Sequence, residues 1–450
     1  IKQSASHLLL SMSDNRLIHN HCHNHLCNNC GKRCNDNGVT TITTICAVSH
    51  ERNGGASFYC SVDCFEKNKN ASSTFHFRLN SSTLEILPSY DCDLAVLNLD
   101  GILAAAAEFM PNPLLAVDIF VPQQYVLPST PYGESNKIIL SVDGMRNFFE
   151  KVHGSLQSFT FRLDDCCWEI AKTMTDGGKA FLPLGTMPNL KNLDFSLIGF
   201  DDIHVLMRCL HPDLKALRLS YIKMRYNSSW TTGDVDSMVS TIRLMKELVT
   251  LDLNAHGLTD NDLQGLLPHL KELRCLNVSG RFGVHIDARQ NLLTNLGLLF
   301  IAKYCPKLQS LDVSQQPKIT LMGMEHLLGK CVDLLEVQAS DIAISPRDLK
   351  GLFTLSDKLL YFLYDPNSGG VHSHEQYLVK DAVIATGGRT VVGSSYQGLY
   401  KISLEGNHHK QQKASMKVIE ATRKRRSDPN IFNIWDAIPI SQLYQLMSEE

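Results

Sequence analysis

The sequence predicts an α/β fold in which leucine-rich repeats form a solenoid, a horseshoe, between two different ends. The first observation is a hydrophobic hexad that recurs through the middle of the chain. The second is a cluster of cysteines near the start, and the third is the loss of the hexad after Tyr364. We therefore expect a Cys/His-rich, zinc-finger-like segment at 1–75, leucine-rich repeats at 76–364 that are irregular before 156, and a mixed or helical tail at 365–450.

The repeating unit has the form L-x-x-L-x-L, in which other hydrophobic residues replace leucine in some copies. Clear copies begin at Leu190, Leu214, Leu248, Leu273 and Leu308, and weaker copies at Leu156, Leu334 and Leu359. Successive starts are 34, 24, 34, 25, 35, 26 and 25 residues apart, a nearly alternating spacing that chance does not explain. A further candidate copy is Leu94-Leu97-Leu99. Between it and residue 156 a Pro-rich stretch obscures the register, so this region holds either degenerate repeats or a long insertion.

Each hexad is expected to form a short strand whose leucines point inward, and the residues after it return along the outside of the coil. The return segment has a helical pattern. Thr259 can cap a helix that starts at Asp260, and Leu263, Leu266, Leu267 and Leu270 follow at a spacing of three to four. The segment 321–328 repeats this pattern. The middle of the chain is therefore predicted to alternate strand and helix.

Several repeats begin from a cysteine. Cys305 and Cys331 stand three residues before the first leucine of a copy, and Cys209 stands five residues before another. These residues resemble the cysteine-containing leucine-rich repeats of F-box receptors and related proteins. The resemblance implies that the cysteine is a small buried packing residue rather than a ligand or a redox group.

The concave face of such a solenoid is formed by the residues that alternate with the inward leucines. At the centres of five successive strands these candidate binding residues are Asp194, Arg218, Asp252, Asn277 and Asp312. Three aspartates and one arginine make the face mildly acidic. One interpretation is a groove that binds a basic or hydrogen-bonding peptide of a protein client. The other is that the polar side chains only solvate the ends of the strands.

Residues 20–65 carry the most specific chemical pattern in the chain. Cys27-x-x-Cys30 is followed, 30 residues later, by Cys60-x-x-x-Cys64, which is a spacing typical of zinc ligands. Four thiolates can surround Zn²⁺, and the metal replaces a core that so short a segment cannot build. The second pair resembles the aromatic-Cys-Ser-x-x-Cys stretch of treble-clef fingers of the MYND and FCS kinds, although no closing His-x3-Cys follows it. We expect structural zinc at these four cysteines.

Alternatives for this segment stay open. Cys34, Cys46 and His50 can form part of a second site or replace one of the four ligands. The run from His19 to His25 can bind transition metals or be a polar leader. A disulfide cap, as in extracellular leucine-rich repeats, is the rival to zinc. Such caps normally adjoin the first repeat, whereas at least 30 residues intervene here. The isolated cysteines inside the repeats also indicate a reducing compartment, which argues against disulfides.

The tail has a different pattern from the repeats. Short strand-like runs occur at 382–384 and 390–392, and residues 409–426 have a helical pattern that ends in the basic run 423–426. That run is either a nuclear signal or a solvated helix end. Cysteine-type repeats followed by a helical tail resemble the Zyg-eleven and Zer-one family of cullin-RING substrate receptors, in which armadillo-like helices follow the repeats.

The resemblance implies a cullin-RING adaptor as a partner, but its adaptor motif is poorly matched. Ile18, Cys22 and Leu26 have the spacing of that family's elongin-binding box, yet Ile replaces Leu and the His- and Asn-rich residues between them form a poor helix. The sequence contains no F-box. The assignment to substrate receptors therefore rests on architecture.

Composition and motifs narrow the function classes. A net charge of -3 over 450 residues gives no global reason to expect nucleic acid, and no apolar run approaches the roughly 18 residues of a membrane span. No P-loop, dinucleotide fingerprint, zinc-protease helix or nucleophile elbow is present, so we expect no enzyme. The sequence favours a protein–protein interaction scaffold, a ubiquitin-ligase substrate receptor, in the cytoplasm or nucleus. The alternatives are a zinc-containing nuclear regulator that contacts nucleic acid, and a secreted recognition protein.

Overall fold

The structure, a computed structural model, describes the chain in separate stretches. The described residues are 45–49, 56–59, 77–79, 83–86, 96–100, 103, 107, 113–121, 137–163, 175–196, 198–220, 222–224, 231–280, 293–366, 376–394, 398–399, 407–415 and 417. The chain forms two compact units. The first unit comprises Ile1–His211 and Lys223–Arg225, and the second comprises Pro212–Ile222 and Tyr226–Glu450.

The sheet of the first unit is antiparallel at its start and parallel afterwards. Its strands are β1 Ile45–Ser49, β2 Ala56–Tyr59, β3 Phe77–Leu79, β4 Thr83–Ile86, β6 Ala116–Val121, β8 Ser158–Leu163 and β9 Asn192–Ser196. The strands β1 to β4 pair antiparallel, whereas β4, β6, β8 and β9 pair parallel in that order. Parallel pairing with a crossover between strands is what a repeat of strand and return segment produces.

The irregular region before residue 156 contains repeats of this sheet. The strand β6 pairs with β4 and β8, so the Pro-rich gap holds a degenerate repeat. The candidate hexad at Leu94 is not part of the main sheet. Its strand, β5 Val96–Asn98, pairs with β7 Lys137–Ile139 in a separate two-stranded sheet. A single hexad cannot show whether its strand joins the main sheet or the two-stranded sheet, because leucines point inward from the strands of either sheet.

Aromatic side chains fill the core of the first unit. Its helices are α1 Val142–Val152, a 3-10 helix at Lys179–Thr186 and α2 Ile203–Cys209, and the pair β10 Gly199–Phe200 with β12 Lys223–Met224 closes the unit. The ring centroids of Phe181 and Phe195 are 4.9 Å apart, and those of Phe149 and Phe159 are 5.2 Å apart. All four rings are fully buried. Phe159 and Phe161 therefore replace leucine as the inward residues of the copy at Leu156, which explains why that hexad is a weak match.

The sheet of the second unit is parallel from β11 to β18. Its strands are β11 Ala216–Arg218, β13 Thr250–Asp252, β14 Cys275–Asn277, β15 Ser310–Asp312, β16 Glu336–Ile342, β17 Tyr361–Pro366, β18 Val391–Ser394 and β19 Gly398–Leu399. The helices between them are α3 Thr232–Ile242, α4 Asp260–Leu266, α5 Asn295–Tyr304, α6 Leu321–Lys330, α7 Leu349–Thr354 and α8 Gln376–Ala385, with a 3-10 helix at Leu267–His269. The chain thus alternates strand and helix as the repeat predicts.

The predicted hexads coincide with strands throughout. In all eight copies from Leu156 to Leu359 the strand begins two residues after the first leucine. Leu251 and Leu253 are 1% exposed, whereas Asp252 between them reaches solvent. Since successive side chains of a strand point to opposite faces, the leucines pack under the helices and the residues between them face away. The chain has a leucine-rich-repeat fold.

The helices begin at the residues that the capping pattern predicts. The side chain of Thr259 accepts a hydrogen bond from the N–H of Asp262, whose carboxylate accepts one from the N–H of Thr259, 2.7 Å away. Thr231 and Asp234 form the same capping box at the start of α3. Each box satisfies N–H groups that the first helical turn leaves without an intrahelical partner.

The repeat continues beyond Tyr364. The strand β18 pairs parallel with β17, and α8 lies between them in the chain. The expectation of a strand at 382–384 is wrong, because these residues belong to α8. Val379, Ala382 and Val383 are all buried, so the apolar run is the inward stripe of a helix. Residues 407–415 are helical, which agrees with the predicted start of a helix at 409.

Candidate functional site

The open face is the side of the second unit's sheet that lies opposite the buried leucines. We define it by nine residues: Arg218, Thr250, Asp252, Cys275, Asn277, Ser310, Asp312, Glu336 and Gln338. The parallel register places them in two rows. The outer row runs Thr250, Cys275, Ser310, Glu336, and the central row runs Arg218, Asp252, Asn277, Asp312, Gln338. Neighbouring strands are roughly 4.8 Å apart, so the rows present closely spaced polar groups.

Four of the five predicted binding residues lie side by side in the central row. Arg218 pairs in register with Asp252, Asp252 with Asn277, and Asn277 with Asp312. The fifth, Asp194, lies on β9 of the first unit, where it pairs in register with Thr160 and accepts a hydrogen bond from the Ser196 hydroxyl at 2.7 Å. The structure therefore brings the four residues of the second unit together, and Asp194 lies on a strand of the first unit.

The arginine of the open face compensates one of its aspartates. Arg218 Nε lies 3.4 Å from Asp252 Oδ2, and the two side chains are 30% and 14% exposed. Asp252 Oδ1 also accepts a hydrogen bond from the N–H of Asn254 at 3.0 Å. An ion pair with this much burial holds both side chains in fixed positions, although its net contribution to stability is small. Other cations, Lys215 and Arg274, stand at the starts of the early strands.

The later strands carry the acidic end of the face. Burial raises the pKa of Asp312 to about 6, and the negative charges of Asp252 and Glu336 add to the effect, whereas hydrogen bonds from Ser314 oppose it. The N–H of Ser314 donates to Asp312 Oδ1 at 2.9 Å. Two like charges thus act on a carboxylate that is partly removed from water, which is a configuration that a cationic ligand relieves.

Glu336 belongs to this acidic end and was missing from the sequence-predicted site. It is 6% exposed, pairs in register with Ser310, and accepts a hydrogen bond from Gln338 Nε2 at 3.1 Å. The signal for it was present, because Glu336 follows the hexad leucine at 334 by the same two residues that separate Ser310 from Leu308. The predicted site took only the central residue of each clear hexad, whereas Glu336 lies in the outer row of a weak one.

An apolar cluster borders the open face beyond β16. It consists of Leu335, Leu360, Tyr361 and Val391, which are all less than a tenth exposed, with Leu363 packed against it. Tyr361 pairs in register with Glu336 on one side and with Val391 on the other. The polar surface therefore ends at Glu336 and Gln338.

In the first unit, Asp118 pairs in register with Thr160, which pairs with Asp194. An ion pair neutralises this buried aspartate. Arg162 Nη2 donates to both carboxylate oxygens of Asp118, at 3.0 and 3.2 Å. The Asp118 side chain is 9% exposed. The sequence did not predict this pair, because its strand lies in the Pro-rich region where the register was obscured.

The repeat cysteines have the packing role that the resemblance implies. Cys209, Cys305 and Cys331 are fully buried free thiols. Burial raises the pKa of Cys305 and of Cys331 to about 12 and raises that of Cys209 further, so none of the three is a thiolate at neutral pH. Cys275 differs, since its thiol is half exposed on the open face.

The predicted zinc ligands Cys27, Cys30, Cys60 and Cys64 lie outside the described residues, as do the His run and the basic run 423–426. In the part of the chain that the structure describes, no group of three or more His, Cys, Asp or Glu side chains could hold a metal ion. Zinc therefore stays a prediction. No helix among the described residues is long and apolar enough to cross a membrane.

Comparison with known proteins adds little beyond the fold. No family pattern matches the chain, and no curated protein matches it significantly. Similar solved structures include the yeast Rad7–Elc1 complex (14% identity, TM-score 0.39, 61% of this chain and 68% of that chain). Others are the leucine-rich repeat-containing protein LegL7 from Legionella pneumophila (14%, 0.32, 66% and 97%) and the complex of TLR13 with ssRNA13 (15%, 0.30, 70% and 43%). At these scores the likeness carries no argument about function, and the fold rests on strand register and burial.

Proposed function

We propose that this protein is an interaction scaffold that binds a partner protein on the open face. The observation that carries the proposal is the placement of Asp252, Asp312 and Glu336 on β13, β15 and β16, where the charges of Asp252 and Glu336 act unfavourably on Asp312. A leucine-rich-repeat fold leaves one side of its sheet available for contacts along several strands. The predicted binding residues Arg218 and Asn277 lie in the same row as the aspartates.

The chemistry of the face favours a partner segment with basic and hydrogen-bonding side chains. A partly buried carboxylate beside two like charges opposes folding at neutral pH, and such arrangements are typical of sites where binding supplies the compensating charge. Arg218 adds a cation that can donate to an acidic or carbonyl group of the partner. We include Asp194 as a separate contact in the first unit, where its carboxylate is held by Ser196.

The finer proposal is that the scaffold is the substrate receptor of a cullin-RING ubiquitin ligase in the cytoplasm or nucleus. Its support is the resemblance of the cysteine-type repeats to those receptors. Affinity purification of the tagged chain, with mass spectrometry of the co-purifying proteins, tests it. Cullin, elongin or Skp-type adaptors at near-equal amounts support the receptor role. Their absence under gentle conditions removes that role and leaves the scaffold.

Structural zinc at Cys27, Cys30, Cys60 and Cys64 is a second part of the proposal. Its support is the ligand spacing in the sequence. Elemental analysis of the purified chain is expected to give zinc in proportion to protein, and the double variant Cys27→Ser, Cys60→Ser to lose it. A metal-free wild-type chain in which these four cysteines are alkylated only after reduction would instead establish disulfides.

A further inference from the structure

Asp312 lies at the acidic end of the open face without an ion-pair partner in the part of the chain that the structure describes. The groups there that act on its carboxylate are Ser314, Asp252 and Glu336, and none of these is a cation. Asp312 keeps part of its surface exposed, as do both of its neighbours in the central row. A cationic segment can therefore approach this carboxylate from solvent, along a face that several strands leave open.

The chain itself contains a segment of the complementary charge. Residues 423–426 form the only run of four consecutive cations in the sequence. The nine residues that define the open face carry three carboxylates against one guanidinium. Opposite charges of this kind favour association of the two surfaces, because each supplies the charge that the other lacks.

The covalent connection between the basic run and the open face is long enough for the two to meet. The helix 407–415 begins beside the turn that precedes β18, since a Cβ at Gly388 would stand 2.5 Å from the backbone oxygen of His408. Three strand spacings, roughly 14 Å, separate β18 from β15, which carries Asp312. Nine helical residues rise roughly 13 Å, and the six residues from Lys417 to Arg423 span up to about 20 Å when extended.

We propose that residues 423–426 of the same chain occupy the acidic end of the open face until a partner displaces them. This autoinhibition rests on the proposed function, because the run and the partner use the same face. A tethered segment acts at an effective concentration on the order of a millimolar, so a segment with a Kd of about 0.1 mM weakens a competing basic ligand about tenfold. The run of a second copy, at about micromolar protein concentration, is about a thousandfold more dilute.

Photocrosslinking of the purified full-length chain tests which segment occupies the face. Benzoylphenylalanine replaces Asn277, which pairs in register with Asp312, and the irradiated chain is cleaved after glutamate and analysed by mass spectrometry. We expect an intramolecular crosslink between position 277 and the peptide that begins at Ala421, which contains the basic run. The same reagent at Gln264, exposed on α4, gives no crosslink to that peptide.

Binding of fluorescein-labelled hexalysine measures whether the basic run limits access to the face. A chain in which glutamine replaces all four cations of the run is expected to bind hexalysine about tenfold more tightly than the wild type. The matched control loses the same charge at four exposed positions of the repeats, through Arg243→Gln, Lys246→Gln, Lys318→Gln and Lys330→Gln. This control measures the general effect of net charge, and circular dichroism establishes that both variants are folded.

Equal hexalysine affinity of these two variants overturns the autoinhibition, as does the lack of a crosslink from position 277 to the basic run. A crosslink that joins two chains and increases with protein concentration overturns it as well, because the occupant is then a second copy. A partner protein that crosslinks to position 277 in cells, together with an unoccupied face in the purified chain, removes the autoinhibition and leaves the proposed function.

Discussion

The Asp260 carboxylate accepts two hydrogen bonds from Thr294, the residue that caps the helix of the next repeat. The N–H of Thr294 lies 2.9 Å from Oδ1 and its hydroxyl 2.7 Å from Oδ2. In the capping boxes of α3 and α4 these two donors are satisfied by an aspartate three residues after the cap. In α5 that position is Gly297, so a carboxylate from the preceding repeat takes the same role.

The arrangement recurs where glycine follows the cap by three residues. Asn295 Oδ1 accepts the N–H of Thr320 at 2.9 Å, and Gly323 lies against the Asn295 side chain. In the first unit, Asp100 accepts both the N–H and the hydroxyl of Ser141, at 2.9 and 2.6 Å. Helix capping thus links neighbouring repeats, which couples local helix stability to stacking.

Loss of the Asp260 carboxylate is expected to destabilise the second unit. Asp260→Ala removes both hydrogen bonds to Thr294 and leaves the N–H at the start of α5 without a partner, so the free energy of unfolding falls by about 1–2 kcal/mol. Urea denaturation measures the change. Asp236→Ala, at an exposed position in α3, is the matched control and changes stability by less than about 0.5 kcal/mol. Equal effects of the two substitutions contradict the capping role.

The glycine in this arrangement is expected to tolerate no side chain. A Cβ at Gly297 would stand 2.7 Å from Asp260 Oδ1, so Gly297→Ala displaces the carboxylate and costs about 1–3 kcal/mol. Gly329, in α6, has no atom within 4 Å of the same position. Gly329→Ala is therefore expected to be neutral or stabilising by up to about 1 kcal/mol, through helix propensity. Thermal unfolding of both variants measures the two effects. If both substitutions stabilise the chain, the close approach of Gly297 to the Asp260 carboxylate is unimportant.

The charge of Asp312 is expected to oppose folding at neutral pH. Its pKa is about 6 in the folded chain against an ordinary 3.8, so between these values the folded state holds a proton that the unfolded state has lost. Stability therefore falls as pH rises through this window, and the deficit is complete above it. Asp312→Asn is expected to stabilise the chain by on the order of 1–2 kcal/mol at pH 7.5, since partial exposure screens the charge.

The pH dependence of the stability difference between the wild-type and Asp312→Asn chains provides the control. Below pH 3.8 the carboxyl is protonated in both states, so the stabilities of the wild-type and Asp312→Asn chains are expected to converge. A difference that stays constant from acid to neutral pH would mean that the substitution acts through hydrogen bonding to Ser314 rather than through charge.

Thiol reactivity is expected to separate the cysteine of the open face from those of the core. Cys275 is half exposed, whereas Cys305 and Cys331 are fully buried with a raised pKa. Because the thiolate is the reactive form, brief treatment of the native chain with N-ethylmaleimide should modify Cys275 first. Peptide mass spectrometry measures each site. Early modification of Cys305 or Cys331 in the native chain is the contrary result.

The repeat strands could be predicted from the sequence because their signal is local. Inward hydrophobic residues at fixed spacing placed the eight repeat strands that begin at residues from Ser158 to Tyr361, and Thr259 marked the start of its helix. They did not indicate the short strands β10 and β12. The same rule applied to the alternating residues placed Arg218, Asp252, Asn277 and Asp312 in one row.

The remaining features depend on which repeats become neighbours. The contact between Asp260 and Thr294 joins residues 34 positions apart, and the repeat spacing varies too much for a sequence rule to pair them. Ala255 has a φ of +66° at the turn after β13, although nothing in an alanine predicts a left-handed conformation. The pKa of Asp312 is raised mainly by burial, and the charges of Asp252 and Glu336 on other strands add to it.

Site-specific photocrosslinking in cells tests most directly whether the open face binds a partner protein. Benzoylphenylalanine replaces Asn277 at the centre of the face in one chain and Gln264, exposed on α4, in the other. The account predicts a discrete crosslinked protein from position 277 that is absent from position 264 and that weakens when Asp252→Lys reverses a charge in the same row. A crosslink from position 264 alone, or the same product from both positions, would contradict it.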